Sequence, residues 1–186
     1  SRLFRHLALS GYGYDLVSEP LTRALLGAYQ VLFVNLVDDT LPAFDEAEID
    51  AVDGFVAAGG GLFIITDHSN CYHSAQIINP LLERFGLRAT YYTAVERGAE
   101  EAIEGGGWLK ITRFGAHPIT EGLRMVSFQT GGTLESTDGA ATILASSSES
   151  AFGDFWNESE GTPGYYGNWR QDPGEPDGPL SLAVAR

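Results

Sequence analysis

One polar cluster holds the residue types in this chain that are best suited to chemistry. Asp67, His68, Cys71 and His73 follow directly after the apolar run 62–66, and the two histidines are five residues apart. Neutral imidazole and carboxylate are natural ligands of zinc, iron, copper and manganese. We therefore predict a divalent metal site, with zinc as the expected ion, held by His68, His73 and Asp67. The alternative is structural: Asp67 caps the following helix and His68 packs beneath it.

The single cysteine of the chain lies inside this cluster. Cys71 is a candidate nucleophile, because His68 or His73 can serve as its base and a helix N-terminus would lower its pKa. The alternative is an inert, semi-buried thiol. One cysteine excludes an internal disulfide and leaves the redox compartment open.

A pair of carboxylates ends the neighbouring apolar run. Asp38 and Asp39 follow residues 30–37. At the carboxyl edge of a parallel sheet they would face the same crevice as Asp67. There, one of them would complete the metal shell or act as a general base. A turn that leads into the next helix is the alternative interpretation.

The elements around the cluster have clear local signals. The continuous apolar run 31–37 is typical of a central parallel strand that is covered on both faces. Asp45 and Glu48 predict a capping box at the start of the next helix, and the glycines 59–61 predict its end. The strand 62–66 follows at once. We expect the two strands to be adjacent and central in one sheet.

The rest of the chain continues this alternation. A helix with Pro80 inside it or at its first position precedes further short strands, and residues 96–107 are typical of a solvated loop. Residues 146–179 are rich in Gly, Pro, Ser, Asp and aromatics and predict a long irregular loop. The pattern as a whole predicts one α/β domain over 1–186, with three layers and a mainly parallel, flavodoxin-like sheet. Other predicted elements are a helix over 3–9 and strands over 14–17, 87–92, 108–112, 125–128, 141–145 and 180–185.

Composition excludes several classes of partner. The chain has 186 residues and a formal net charge of −14, so its surface repels phosphate backbones and we expect no nucleic-acid partner. No apolar run approaches the roughly 20 residues that a membrane span needs. A small-molecule substrate therefore remains the expected ligand class.

Two stretches resemble a known superfamily. Residues 55–65 and the segment 117–123, which is followed by Phe128 and Glu135, are similar to the class I glutamine amidotransferase-like superfamily, closest to its trehalose-utilisation-like and related uncharacterised branches. The resemblance covers roughly 14–145. It implies an acidic residue facing the site at Glu135. It also implies further strands beyond this chain, so we expect truncation at both ends, a homo-oligomer, or strands supplied by another chain.

The chain departs from the glutaminase pattern of that superfamily. The turn after the second strand reads Thr66-Asp67-His68, where the nucleophile elbow would be, and no His-x-Glu pair follows His117. We therefore expect no glutaminase activity. We expect a metal-assisted hydrolase or related enzyme that acts on a small polar, carbohydrate-like substrate. The alternative is a non-catalytic glutamine amidotransferase-like domain that binds or assembles within a larger protein.

The enzyme hypothesis assigns a role to each candidate residue. A bound ion would lower the pKa of its water and supply the nucleophile. The predicted catalytic residues are Asp67, Asp38, Asp39 and Glu135.

Overall fold

The structure is a computed structural model that describes residues 2–97, 102–103, 108–160 and 165–186. The predicted loop 96–107 lies largely outside these residues. Within the described residues the chain forms four α-helices and eleven strands. The helices are α1 (Arg2–Leu9), α2 (Arg23–Leu26), α3 (Glu46–Ala57) and α4 (Ser74–Glu83). The strands are β1 (Val31–Asn35), β2 (Gly61–Ile65), β3 (Leu87–Val95), β4 (Ala102–Ile103), β5 (Trp108–Ile111), β6 (Arg113–Phe114), β7 (Val126–Gln129), β8 (Gly131–Ser136), β9 (Thr142–Ser146), β10 (Phe152–Phe155) and β11 (Ser181–Ala185).

The first half of the chain forms the predicted strand–helix–strand unit. Asp45 accepts a hydrogen bond from the Glu48 amide at 2.8 Å, and the Glu48 carboxylate accepts one from the Asp45 amide, so the capping box is present. Helix α3 then leads to β2, which pairs with β1 in parallel, with Val31 opposite Gly61. The predicted adjacency of these two strands is confirmed.

The mainly parallel, three-layer fold class is wrong. β1 and β2 are the one parallel pair among the described strands, and every other pairing there is antiparallel. The described strands form four small sheets, with the orders β1-β2, β10-β3-β8, β11-β9-β6 and β4-β5-β7. Parallel strands need a crossover of about a dozen residues, usually a helix. No α-helix follows α4 in the described residues, so the later strands pair antiparallel.

The described residues cover the β1–β2 sheet on one face only. Leu32, Val34, Leu62 and Ile64 pack into a core with α3 and α4. The opposite face carries Val31, Phe33, Phe63 and Ile65, which we call the outer face. Its side chains are strongly exposed at Val31 (60 %) and Phe63 (54 %), and the rings of Phe33 and Phe63 stack at 5.0 Å. The expectation of a central strand pair covered on both faces is therefore wrong.

The predicted loop 146–179 contains regular structure. Strand β10 lies within it and pairs antiparallel with β3. The Asp154 side chain of β10 is buried and accepts hydrogen bonds from the amides of Asn168 (3.1 Å) and Trp169 (3.0 Å). These bonds hold the segment 165–169 against the sheet. Residues 14–17, predicted as a strand, are exposed and form none.

Candidate functional site

The polar cluster occupies a tight turn between β2 and α4. Ser69, Tyr72 and His73 all have left-handed backbone conformations, with φ values of 49°, 47° and 59°. Such conformations are costly for residues other than glycine and persist where the surrounding structure holds them. The turn is held on one side by β8, since a Cβ atom at Gly132 would lie only 2.3 Å from the Asp67 carbonyl oxygen.

Three side chains converge inside this turn. Asp67, His68 and Cys71 each place one potential ligand atom within 4.8 Å of the others. The Asp67 Oδ1 atom lies 3.8 Å from His68 Nε2 and accepts a hydrogen bond from the His68 amide at 2.8 Å. His68 and Cys71 are buried, with exposed fractions of 5 % and 6 %. This is a carboxylate–imidazole–thiol group under the protein surface.

The imidazole of His68 is held on all sides. Its Nδ1 atom lies 3.2 Å from Thr93 Oγ1 and 3.3 Å from Ser69 Oγ. The ring stacks on Tyr166 with a centroid distance of 4.4 Å and an interplanar angle of 3°. Burial lowers the pKa of His68, and the nearby Asp67 carboxylate partly opposes this shift. The imidazole is therefore neutral at physiological pH.

Cys71 is an unreactive thiol in this environment. Burial, followed by the charge of Asp67 and a hydrogen bond to it, raises the pKa of the Cys71 thiol to about 12. A nucleophilic cysteine needs the thiolate form. The arrangement therefore favours the inert thiol over the nucleophile among the two alternatives predicted for Cys71.

His73 points to a second, exposed group. Its Nδ1 atom lies 2.7 Å from Asp39 Oδ2, and its Nε2 atom lies 3.5 Å from Glu158 Oε1. The hydrogen bond to Asp39 is the main cause that raises the pKa of His73. The structure thus brings Asp67 and His68 together with Cys71, whereas the predicted third ligand His73 pairs with Asp39 and Glu158.

The other two predicted catalytic residues lie in different surroundings. Asp38 accepts hydrogen bonds from the amide (2.9 Å) and hydroxyl (2.5 Å) of Thr40, which lower its pKa. This is a local turn, the alternative predicted for Asp38. Glu135 lines a separate cavity of about 300 Å³ together with Arg88 and Asn79. Neither residue belongs to the group around Asp67.

Aromatic residues cover the site. The ring centroid of Tyr165 lies 4.8 Å from those of both Tyr72 and Trp156, and the ring centroid of Tyr166 lies 4.7 Å from that of Trp169. The Ser69 hydroxyl donates a hydrogen bond to the Tyr165 carbonyl oxygen at 2.6 Å. Sequence reasoning noted aromatics in the long loop but did not place them over His68, and it missed Thr93. No local signal connects residues that are separated this far along the chain.

Comparison with known proteins gives a fold and no family. No protein-family model matches the chain, and no curated protein matches it. A solved structure of the mmIFT52 N-terminal domain is similar, with a TM-score of 0.65, 13 % sequence identity, and coverage of 86 % of this chain and 74 % of that one. At this identity, the similarity is one of fold.

The inferred membership of the class I glutamine amidotransferase-like superfamily is wrong. The fold match is to an IFT52 domain, and the sheets are mostly antiparallel. For the same reason, the description of the chain as a glutamine amidotransferase-like hydrolase is wrong. None of the helices in the described part of the chain has the length and apolarity that crossing a membrane requires. The small-molecule substrate stays a prediction.

Proposed function

We propose that this chain is a non-catalytic assembly domain of a larger protein and that it associates with a second copy through the outer face of β1–β2. The observation that carries the proposal is the exposure of Val31, Phe63 and Ile65, beside half-buried Phe33, on a sheet whose opposite face packs into the core. Parallel strands normally have both faces covered. Contiguous exposed apolar patches on soluble domains mark interaction sites.

The occupant that fits this face is helix α1 of the second copy. In the structure α1 buries none of its residues fully: Leu3 is exposed, Leu7 is half-buried, and Phe4 stacks on the Tyr14 ring at 4.7 Å. An isolated helix of eight residues is marginal in water, so α1 gains stability only when its apolar side chains are covered. Fully burying one large apolar side chain contributes about 1.5–3 kcal/mol, and several such side chains are available on both surfaces.

Charge favours the same pairing. Helix α1 carries Arg2 and Arg5, whereas the chain as a whole has a net charge of −14. Asp38 and Asp39 lie three and four residues after the end of β1. Cationic side chains of α1 would therefore meet an acidic edge while its apolar side chains cover the sheet.

The site between β2 and α4 supports an assembly role over a catalytic one. His68 is sealed beneath Tyr166. The Cys71 thiol keeps its proton at physiological pH. Of the predicted acids, Asp38 accepts hydrogen bonds from Thr40 and Glu135 lines a separate cavity. A reacting centre needs a base, a nucleophile and an accessible position for substrate within a few ångströms.

Sedimentation of the purified chain over a concentration series tests the proposal. We expect a reversible dimer for the natural sequence and a monomer for Phe63→Lys and for a variant with Leu3→Glu and Leu7→Glu. Ile119→Lys is the matched control, because Ile119 is a similarly exposed apolar residue (64 %) outside the outer face. A natural chain that stays monomeric throughout, or a control that dissociates like Phe63→Lys, would refute the proposal.

A further inference from the structure

The buried group of Asp67, His68 and Cys71 has the spacing of a metal site. Tetrahedral zinc with bonds of about 2.0–2.3 Å places neighbouring ligand atoms about 3.3–3.8 Å apart. The 3.8 Å between His68 Nε2 and Asp67 Oδ1 already lies in this range. The remaining separations, all within 4.8 Å, need a contraction of about an ångström at most.

The surroundings of His68 prepare its Nε2 atom for coordination. The Ser69 hydroxyl donates its only hydrogen to the Tyr165 carbonyl oxygen, so a hydrogen bond between Ser69 and His68 forms in the tautomer that carries its hydrogen on Nδ1. That tautomer leaves a lone pair on Nε2, which faces Asp67. A metal-bound histidine usually donates its second ring N–H to a carboxylate, a backbone carbonyl or water, and here the hydroxyls of Ser69 and Thr93 take that place.

We propose that Asp67, His68 and Cys71 bind one zinc-class divalent ion through a carboxylate oxygen, Nε2 and the thiolate sulfur. On binding, the S–H bond of Cys71 breaks, its proton goes to solvent, and a sulfur–metal bond forms. Three protein ligands leave a fourth position for water. The ion differs in its ligands from the one that the sequence predicts, since Cys71 takes the place of His73.

The ligand types select the metal. A thiolate and an imidazole favour zinc and similar borderline ions, whereas magnesium and calcium prefer sites made wholly of oxygen. Three protein ligands with an open fourth position are the usual arrangement of catalytic zinc, but His68 and Cys71 are buried, so the role assigned to the ion is structural. It joins both ends of a turn whose backbone is left-handed at Ser69 and Tyr72, directly beneath the segment 165–169.

Cobalt substitution tests this site without any activity assay. The chain is reduced, stripped with a chelator and titrated with Zn²⁺ or Co²⁺. We expect one ion per chain and a thiolate-to-cobalt charge-transfer band in the near ultraviolet. Cys71→Ser should abolish the band and weaken binding at least about tenfold, and Thr93→Val should weaken binding about 10–100-fold.

His73→Gln is the matched control, because His73 is a neighbouring histidine that pairs with Asp39 outside the group. It should bind Co²⁺ as the natural chain does. If the natural chain binds no metal, if Cys71→Ser keeps the band, or if His73→Gln loses it, the proposed ligand set is wrong. Should Cys71→Ser fail to fold, the spectrum of the natural chain and the affinity of Thr93→Val decide the question. Dimerisation is measured separately, so either proposal can fail alone.

Discussion

Replacing Gly132 by alanine is the sharpest test of how the turn is held against the sheet. The added Cβ would lie 2.3 Å from the Asp67 carbonyl oxygen and 3.2 Å from the His68 Cα atom. Ordinary carbon–oxygen contacts are about 3.3–3.6 Å, so the strand and the turn must separate by about 1 Å. The opposing atoms belong to the backbone, which cannot rotate aside as a side chain would.

The expected cost follows from this geometry. Extra methyl groups in packed positions cost about 1–3 kcal/mol, and a clash with backbone on both sides belongs at the upper end of that range. We expect Gly132→Ala to lower the free energy of unfolding by about 3 kcal/mol. The shift also moves Asp67 and His68 relative to Cys71, so Zn²⁺ affinity should fall together with stability.

Urea unfolding followed by circular dichroism measures the change, and a Co²⁺ titration follows the metal site. Gly13→Ala is the control, because no atom lies within 4 Å of a Cβ built there, and such exposed substitutions change stability by about 0.5 kcal/mol or less. An unchanged unfolding midpoint for Gly132→Ala would show that β8 does not support the turn, and the geometric reasoning would be refuted.

Three further predictions concern other parts of the chain. Asp154→Ala should lower the free energy of unfolding by about 1–3 kcal/mol, because the amides of Asn168 and Trp169 lose their buried acceptor; a cost below that of an average surface change would contradict it. Asp45→Ala should cost about 1 kcal/mol through loss of the capping box in α3, with Asp53→Ala, in the middle of the same helix, as the control. The pKa of His73 is raised above 6.5 in the folded state, so its contribution to stability is full below pH 6.5 and is lost as pH rises through the folded pKa. His73→Gln should remove that pH dependence from the unfolding midpoint, and an identical pH profile would count against the Asp39 pairing.

The sequence predicted those helices and strands that are determined by residues close together in the chain. The capping box of Asp45 and Glu48, the apolar stripe of α3 and the glycines after it lie within sixteen residues of one another, and the structure contains them all. The parallel pairing of β1 and β2 follows from the same unit. When the start and end of the helix are fixed and the connections are short, the next strand has few possible positions other than beside the first strand and parallel to it.

The orientation of the later strands depends on distant partners. Strand β3 pairs with β8 on one side and with β10 on the other. A short apolar run has the same pattern in a parallel and in an antiparallel sheet, so extending the parallel arrangement past α4 was an extrapolation. Among the described residues no α-helix follows α4 to carry a parallel crossover, whereas the resemblance to a parallel superfamily implied further parallel strands.

In the candidate site, too, the sequence did not reveal which residues come together. The sequence correctly placed Asp67 and His68 at the end of β2, but it assigned His73 to the same metal site. The structure begins α4 at Ser74, after left-handed Tyr72 and His73. That break turns the His73 ring toward Asp39. A left-handed backbone conformation at tyrosine or histidine cannot be recognised from the sequence, whereas a glycine at these positions would have indicated it.

The two proposed surfaces are separable because of the alternation of side chains along β2. Phe63 and Ile65 lie on the outer face, Leu62 and Ile64 lie in the core, and the metal ligands follow only after the strand has ended. The ends of β1 and β2 are nevertheless tied together, since the Asp39 amide donates a hydrogen bond to the Tyr72 carbonyl oxygen at 3.1 Å. An ion in the turn would therefore stiffen the end of the sheet on which a second copy docks without contacting that copy. Binding energy at such a face depends on how well it is preorganised, so the proposed ion would support the proposed dimer.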